Sequence, residues 1–355
     1  MGELRLMKGN EALAEAAIRA GMDAYFGYPI TPQSEVLEYL TREAYNRTQC
    51  TILQAESEIA SINMVYGAAG AGQRVMTTSS SPGISLMQEG ISYIAGAELP
   101  CLLANVNRGG PGLGTIQPSQ GDYFQSVKGG GHGDYRLIVL APATVQEMAD
   151  FVLDGWLLAE KYRNPVLILT DGALGQMMEK VELRDQEPRG NRPVPSWATV
   201  GKDAGRERNI ITSLFIQPEQ MEQVNLRLQA KYREIEKNEI RVQEIETADA
   251  DFVLVAYGLS ARISRKVAEI LRAEGIKVGL IRPITLWPYP YQTIADAAAH
   301  AKGFFVLELN AGQMVEDVRL AVNGRCPVEQ YGRMGGIIPS PEEVAEVARK
   351  MYSKL

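Results

Sequence analysis

Tyr28-Pro29-Ile30-Thr31-Pro32 joins an apolar, strand-like run to a helix-like run, and this unit sets the pattern for the whole chain. Each proline restricts its own φ to about −65° and disfavours helical backbone in the residue before it. The turn is therefore stiff, and it holds the Thr31 hydroxyl in place. By local rules we favour Thr31 as the N-cap of the following helix and Pro32 as its first residue. An N-cap threonine can also line a pocket.

Strand-like and helix-like runs alternate on both sides of this turn. Residues 23–28 are short and apolar, as expected of a buried strand, and residues 33–45 have the apolar spacing of a helix. The alternation continues to about residue 182 and starts again at residue 251. This pattern favours an α/β fold with a mostly parallel sheet and helices on both faces.

The segment between the two alternating parts has a different composition. Residues 183–250 are first rich in Pro, Arg and Gly and then strongly charged, so they predict a linker with one helix at residues 219–245. We interpret this helix as solvated rather than as a coiled coil, because its apolar heptads are few. We therefore predict domains at residues 1–182 and 251–355.

The composition argues against several kinds of partner and site. The net charge is −7 and no dense basic face stands out, so we expect no nucleic-acid partner. No apolar run is long enough for a bilayer, and residues 1–8 lack the apolar core of a secretion signal, so we expect a cytoplasmic protein without a membrane partner. Cys50, Cys101 and Cys326 are far apart and the chain has 2 histidines, which predicts no metal or iron–sulfur site on this chain.

Two glutamates stand where a strand leads into an apolar helix. Residues 58–71 are apolar on nearly every side and predict a buried helix that begins at Glu58. A carboxylate at this position also compensates the helix dipole, which is the simpler explanation. If Glu58 is shielded from water, however, its protonated form is favoured and can donate a hydrogen bond. Glu56 is the competing candidate for such a role.

Arg108 follows another strand-like run and is itself followed by Gly109-Gly110-Pro111. An arginine at the carboxyl end of a parallel strand, next to glycines that allow close approach, suits a carboxylate clamp. A surface arginine beside a flexible loop explains the residues equally well. Residues 77–83, which are rich in small hydroxyl side chains, predict a tight crossover against which something packs closely.

Four motifs occur in an order that resembles a known family. They are Gly9-Asn10-Glu11-Ala12, Tyr28-Pro29-Ile30-Thr31-Pro32, Glu56-Ser57-Glu58-Ile59-Ala60 and Arg108-Gly109-Gly110-Pro111. Together they resemble the alpha-type subunit of 2-oxoacid:ferredoxin oxidoreductases, with the 3-methyl-2-oxobutanoate (2-oxoisovalerate) type as the nearest match. Residues 257–258 and 280–288 resemble that family's transketolase C-terminal-type domain. The resemblance implies a thiamine diphosphate pyrimidine-binding domain followed by a transketolase C-terminal-like α/β domain.

The resemblance also implies roles for the residues singled out above. Glu58 would hydrogen-bond N1′ of the thiamine pyrimidine and promote the imino tautomer that acts as the base. Pro29 and Ile30 would lie against the cofactor. Thr31 would lie beside the 2-oxoacid, and Arg108 would bind its carboxylate.

The reaction so implied is oxidative decarboxylation of a 2-oxoacid to acyl-CoA and CO₂, with coenzyme A as acyl acceptor and ferredoxin as electron acceptor. The chain lacks the Gly-Asp-Gly motif that anchors Mg²⁺ and the diphosphate, and it lacks cluster cysteines. We therefore expect half of an active site. A beta-type subunit would bring the diphosphate-binding half and Mg²⁺, and partner subunits, including a small ferredoxin-like (gamma) subunit, would carry the iron–sulfur clusters.

Several alternatives stay open. The substrate can be 2-oxoglutarate or pyruvate instead of 2-oxoisovalerate. The chain can be a non-catalytic assembly subunit, although such a subunit has no need of Thr31, Glu58 and Arg108 together. A stand-alone thiamine-dependent decarboxylase or transketolase half would keep the cofactor but not ferredoxin.

Overall fold

The computed structural model describes residues 3–186, 192–201, 205 and 207–355. The strands are β1 (Glu3–Lys8), β2 (Ala24–Gly27), β3 (Thr51–Gln54), β4 (Val75–Ser79), β5 (Leu102–Asn107), β6 (Ile138–Leu140), β7 (Val166–Asp171), β8 (Met178–Leu183), β9 (Val242–Ile245), β10 (Phe252–Val255), β11 (Val278–Pro283), β12 (Thr285–Trp287), β13 (Gly303–Glu308) and β14 (Val328–Gly332). The helices are α1 (Gly9–Arg19), α2 (Ser34–Thr48), α3 (Glu58–Gly70), α4 (Ser81–Gly96), α5 (Tyr123–Val127), α6 (Val145–Tyr162), α7 (Gly172–Gln176), α8 (Pro218–Asn238), α9 (Gly258–Ala273), α10 (Tyr291–Ala297), α11 (Met314–Val322) and α12 (Pro341–Tyr352).

The first sheet has seven strands in the order β12-β6-β7-β5-β4-β2-β3. All neighbours pair in parallel except β12, which is antiparallel to β6. Strands β4 to β7 are buried along their whole length, as expected of a sheet covered on both faces. Because these strands are parallel, the loops that follow them meet at one edge of the sheet.

The helices of this part form two packed groups. Helix α1 packs against α2 and α6, and α3 packs against α4. Both groups contribute to one apolar core, in which Trp156 and Tyr25 are among the largest buried side chains. The predicted α/β fold with a mostly parallel sheet is therefore confirmed.

The second sheet has five strands in the order β14-β13-β10-β11-β9, parallel except for β9. Helices α9 and α12 pack together over a second apolar core. Strand β12 leaves this part of the chain and pairs with β6, where Thr285 lies opposite Leu140. The two parts are thus joined by a strand as well as by side chains, and the domain boundaries at residues 182 and 251 stay a prediction.

The linker helix differs from the prediction. Helix α8 ends at Asn238, and the residues that were expected to complete it form β9 in the second sheet. The helix is not solvated all round, because Val224, Leu228, Tyr232 and Ile235 are buried in the first core. Spacings of three and four residues put these side chains on one face.

Five strands at the edges of the sheets were not predicted from the sequence. Among the described residues, β1 and β8 pair with each other as an antiparallel ribbon, β12 is the edge of the first sheet, and β9 and β14 are the edges of the second. Within the described ranges, each helix is too short or too polar to cross a bilayer.

Candidate functional site

The three residues predicted to carry the chemistry all lie at the carboxyl edge of the first sheet. Thr31 follows β2, Glu58 follows β3 and Arg108 follows β5 directly. Strands β3, β2, β4 and β5 are successive neighbours. The parallel order of the strands therefore brings together residues that are far apart in sequence.

The turn around Thr31 differs from the local prediction. The backbone N–H of Gln33 donates to the carbonyl of Ile30 (3.0 Å), and the Thr31–Pro32 peptide is cis. Helix α2 begins only at Ser34, with Gln33 in the N-cap position and without a side-chain cap. Thr31 as N-cap and Pro32 as first helical residue were therefore wrong predictions, because the chain is still turning at these residues. The Thr31 side chain is exposed at this edge.

The side-chain amides of two buried residues bind backbone carbonyls of the same turn. Asn10 Nδ2 donates to the carbonyl of Pro32 (2.8 Å), and Gln33 Nε2 donates to the carbonyl of Tyr28 (3.1 Å). Gln33 Oε1 in turn accepts from the buried Thr78 hydroxyl (2.6 Å). Neither amide was predicted to have a role, although Asn10 lies within one of the motifs. For Asn10, the signal was a polar residue at the start of an apolar helix; for Gln33, it was a polar residue directly after the second proline of the turn.

Arg108 is tied to this turn directly. Its Nη1 donates to the Thr31 carbonyl (2.9 Å) and its Nη2 to the Leu113 carbonyl (3.1 Å). The Ser81 hydroxyl accepts from the Arg108 backbone N–H (3.1 Å). Arg108 is 8% exposed, so it is not the surface arginine that the sequence left open. Its guanidinium joins the Thr31 turn to its own loop.

Glu58 is the first residue of α3 and is 6% exposed, whereas Glu56 is exposed. The Ser57 hydroxyl caps this helix by accepting from Ala60 N (3.2 Å). The Glu58 carboxylate lies against Gly83: a Cβ on that glycine would be 2.6 Å from Glu58 Oε1 and 2.0 Å from Ser79 Oγ. Only glycine leaves room for the carboxylate here. Within the described residues, nothing hydrogen-bonds this carboxylate.

Other buried polar atoms without a partner lie at the same edge. They are Thr77 Oγ1, Ser79 Oγ, Ser80 Oγ, Asn107 Nδ2 and Arg108 Nε. Buried polar groups in folded proteins are nearly always paired, so an unpaired group requires an explanation, such as a ligand. A neutral aromatic ring with nitrogen donors and acceptors would satisfy such a set of hydroxyl, amide and carboxyl groups. The residues present therefore fit the pyrimidine of thiamine diphosphate.

Pro29 is exposed and Ile30 is half-buried beside this group of polar atoms. Both present apolar surface on the stiff turn. The predicted crossover at residues 77–83 is the end of β4 and the start of α4, and it contributes three of the unpaired hydroxyls. The run of small hydroxyl residues was the signal, but the sequence did not show that their oxygens lack partners.

Burial also changes the protonation of acids at this edge. Asp171 ends β7 and accepts from Ala173 N (2.9 Å) and Leu174 N (3.1 Å). Its burial raises its pKa to about 6. Burial raises the pKa of Asp122 as well, and its carboxylate accepts from Asn105 Nδ2 (2.8 Å). Loss of water around these two carboxyls therefore makes each of them harder to ionise than a free aspartate.

The second part of the chain holds this edge through Gln120. Gln120 Oε1 accepts from Ser260 Oγ (2.7 Å) and Leu309 N (3.0 Å), and its Nε2 donates to the Tyr257 carbonyl (2.9 Å). All four residues are buried. The second sheet thereby supports the loop that follows Arg108.

Helix α3 was predicted to be buried on nearly every side, and this was wrong. Ile59 is 52% exposed and Met64 37%. On the adjacent α4, Leu86 is 52% and Tyr93 37% exposed. We call the surface formed by these four residues the α3–α4 face. It lies beside Glu58, and its apolar character explains why the sequence predicted burial.

Comparisons with known proteins agree with this architecture. Residues 15–247 match the family described as pyruvate flavodoxin/ferredoxin oxidoreductase, thiamine diphosphate-binding, and residues 250–344 match pyruvate:ferredoxin oxidoreductase core domain II. Ketoisovalerate oxidoreductase subunit VorB of Methanothermobacter thermautotrophicus is 51% identical over 98% of this chain and 97% of its own length.

Two solved structures are similar as well. The 2-oxoglutarate:ferredoxin oxidoreductase from Magnetococcus marinus, with 2-oxoglutarate, coenzyme A and succinyl-CoA bound, has a TM-score of 0.86 and 29% identity over 98% of this chain. This chain spans 65% of that longer chain. A split-gene transketolase has a TM-score of 0.61 and 13% identity over 98% of both chains, a likeness of fold alone. The predicted resemblance is confirmed: the chain belongs to the pyruvate flavodoxin/ferredoxin oxidoreductase family and is similar to its alpha-type subunits.

Proposed function

We propose that this chain supplies the pyrimidine-binding half of a thiamine diphosphate site in a 2-oxoacid:ferredoxin oxidoreductase. The complex would convert a 2-oxoacid, coenzyme A and oxidised ferredoxin to acyl-CoA, CO₂ and reduced ferredoxin. The observation that supports this most is the Glu58 carboxylate: the residue is 6% exposed, its carboxylate has no hydrogen-bond partner among the described residues, and Gly83 leaves room for it. The carboxylate is therefore free to bind a ligand.

Glu58 would hold the cofactor ring. When bound, thiamine diphosphate supplies the carbanion chemistry that splits CO₂ from the 2-oxoacid. Glu58 Oε1 or Oε2 would form a hydrogen bond with a ring nitrogen and so fix the position of the ring. The unpaired Ser79 hydroxyl, beside the same glycine, would bind another polar atom of the ring.

Arg108 and Thr31 would bind the substrate. A guanidinium has five N–H donors, and Arg108 gives one to each of two backbone carbonyls. The remaining donors, including the unpaired Nε, and the fixed positive charge suit the substrate carboxylate. The exposed Thr31 side chain stands on the turn that Arg108 fixes, so both groups would move as one unit.

The partners follow from what this chain does not supply. A beta-type subunit would cover the α3–α4 face and bring the diphosphate-binding half with Mg²⁺. Iron–sulfur clusters would lie on that subunit and on a small ferredoxin-like subunit, and the complex would work in the cytoplasm. The α3–α4 face carries four exposed apolar side chains on two helices in contact, and exposed apolar surface of this kind is typical of a protein interface.

For the substrate we propose 2-oxoisovalerate. The relative named for ketoisovalerate is 51% identical to this chain, and the enzyme with 2-oxoglutarate bound is 29% identical. Leu113 and Ile116 are 84% and 56% exposed on the loop that Arg108 fixes, so they offer a branched side chain an apolar wall. A 2-oxoglutarate enzyme needs a second cation there instead.

The test is a pair of variants in the reconstituted complex. Glu58→Gln should lower 2-oxoisovalerate-dependent reduction of a viologen dye by at least a hundredfold, whereas Glu56→Gln, on the exposed neighbour, should keep the rate. An unchanged rate with Glu58→Gln would favour a non-catalytic assembly subunit. A higher kcat/KM for 2-oxoglutarate or pyruvate than for 2-oxoisovalerate would refute the substrate assignment.

A further inference from the structure

A basic cleft lies away from Glu58, where the two parts of the chain meet. It has a volume of about 290 Å³. One wall is the loop before α6, and the other consists of β9, β11 and the first half of α9. Its charged lining residues are all arginines: Arg262, Arg265 and Arg282.

Two of these arginines have carboxylate partners outside the cleft. Arg282 pairs with Glu147, and Arg262 pairs with Glu179 (2.8 Å). Arg265 is exposed and has no hydrogen bond or ion pair with any described residue. Its one-turn neighbour Glu269 pairs with Lys266 (2.8 Å). Glu269 also attracts Arg265 electrostatically, but no described residue accepts a hydrogen bond from Arg265. The cleft thus contains one guanidinium whose N–H donors are all available to a ligand.

The paired arginines are held in fixed positions. Arg282 is 6% exposed, its Nη1 donates to Glu147 Oε1 (2.9 Å) and Gln243 Oε1 (3.2 Å), and its Nη2 donates to the Ala141 carbonyl (3.3 Å) and to Glu147. Its unpaired Nε is buried, so Arg282 contributes a fixed positive charge to the cleft but no free donor. Arg262 Nη1 donates to the Ala143 carbonyl (2.9 Å). Guanidinium groups that are already ordered bind an anion without a further loss of side-chain entropy.

We infer that this cleft binds a small molecule that carries phosphate groups. Guanidinium forks match the oxygens of phosphate, and Arg265 supplies N–H donors that no described residue uses. Ile245, Leu280 and Ala261 form an apolar floor for the organic part of the molecule. The volume of the cleft is close to the smallest volume usual for ligand pockets, which is about 300 Å³. The ligand is therefore small, or only its phosphate part enters the cleft. Because both parts of the chain line the cleft, the ligand would bridge them.

The inference does not depend on the proposed reaction, since the cleft contains neither Glu58, Thr31 nor Arg108. Binding of inorganic pyrophosphate to the full chain can be measured by isothermal titration calorimetry at low ionic strength. Arg265→Gln should weaken binding at least tenfold, and Arg265→Lys should weaken it less, because a lysine keeps the charge but not the fork. Arg319→Gln, on an exposed arginine of α11 outside the cleft, should bind as the unchanged chain does.

Further arms identify the source of the phosphate. ADP and coenzyme A are titrated in turn into the chain with pyrophosphate bound. Displacement of pyrophosphate by coenzyme A would assign the cleft to the coenzyme of the reaction. Displacement by ADP alone would assign the cleft to a free nucleotide. Either result supports the phosphate site. Equal affinity of Arg265→Gln and Arg319→Gln, or no pyrophosphate binding, would overturn it. Binding to the free chain but not to the assembled complex would overturn it in favour of an acidic segment of a partner subunit.

Discussion

The closest packing at the site surrounds Gly83, and Gly83→Ala tests whether the position of Glu58 matters. The added methyl would lie 2.0 Å from Ser79 Oγ, 2.6 Å from Glu58 Oε1 and 2.8 Å from Glu58 Cγ. The Ser79 hydroxyl is at the end of a short side chain and can rotate away. The Glu58 carboxylate is buried at the start of α3 and has less freedom.

The size of the effect follows from these distances. Ordinary contact begins at 3.4 Å, so the Glu58 oxygen must move by 3.4 − 2.6 = 0.8 Å if the backbone stays in place. Catalytic groups must be held to about 0.5 Å, and a misplacement of about 1 Å costs about a hundredfold in rate. We therefore expect kcat/KM to fall by about 10- to 100-fold. The gain in helix propensity, about 1 kcal/mol, offsets part of an overpacking cost of about 1–3 kcal/mol, so the protein should remain folded.

The assay is viologen reduction by the reconstituted complex, with the thermal midpoint of the free chain measured in parallel. Ser79→Ala/Gly83→Ala removes the shorter contact but leaves the one with Glu58, so it should regain stability without regaining activity. Gly70→Ala is the matched control, because its Cβ would be 3.9 Å from its nearest neighbours. Full activity of Gly83→Ala would refute the reasoning, since it would mean that the carboxylate need not occupy its observed position.

Three further variants test other parts of the account. Arg108→Lys keeps the charge but cannot bridge two carbonyls, so kcat/KM for the 2-oxoacid should fall about 10- to 100-fold in steady-state assays. Ile59→Asp with Leu86→Asp should leave the chain folded but prevent its assembly with the beta-type subunit in size-exclusion chromatography. Asp171→Asn should remove a pH-dependent loss of stability. Burial raises the pKa of the Asp171 carboxyl from 3.8 to about 6, so the protonated carboxyl stabilises the fold fully below pH about 4. As the pH rises through about 6 the carboxyl ionises, and the free energy of unfolding falls by about 3 kcal/mol. Urea unfolding across that pH range measures the difference between Asp171→Asn and the unchanged chain.

Each of these has an outcome that would contradict it. Unchanged kinetics in Arg108→Lys would show that the bridge between the two loops is unimportant. The control for the α3–α4 face is Leu320→Asp, which changes a leucine that is 67% exposed on α11. If this control also fails to assemble with the beta-type subunit, the loss of assembly is not specific to the α3–α4 face. Parallel stability profiles for Asp171→Asn and the unchanged chain would contradict the raised pKa.

Local patterns were sufficient for the elements with a strong apolar periodicity. The strand expected at residues 23–28 is present as β2, and the helix expected at residues 33–45 is present as α2. The alternation predicted parallel strands, and the carboxyl ends of parallel strands lie at one edge of a sheet. It did not predict the strand order, which places Thr31, Glu58 and Arg108 after neighbouring strands. The chemical roles of these residues stay a proposal.

The errors came from contacts between residues distant in sequence. Local capping rules made Thr31 an N-cap, but its carbonyl is bound by Arg108, which is 77 residues away. Strand β12 is recognisable only once β6 is in place beside it. The exposed side of α3 carries apolar residues, and a single sequence cannot distinguish a core from a surface that a partner covers.

The central claim is that this chain holds half of a catalytic site. The most direct test is to assay 2-oxoisovalerate-dependent reduction of a viologen dye by the purified chain with thiamine diphosphate, Mg²⁺ and coenzyme A, without and then with the beta-type and small ferredoxin-like subunits. The chain alone should show no turnover, and turnover should appear once the partner subunits are added. Turnover by the chain alone would contradict it.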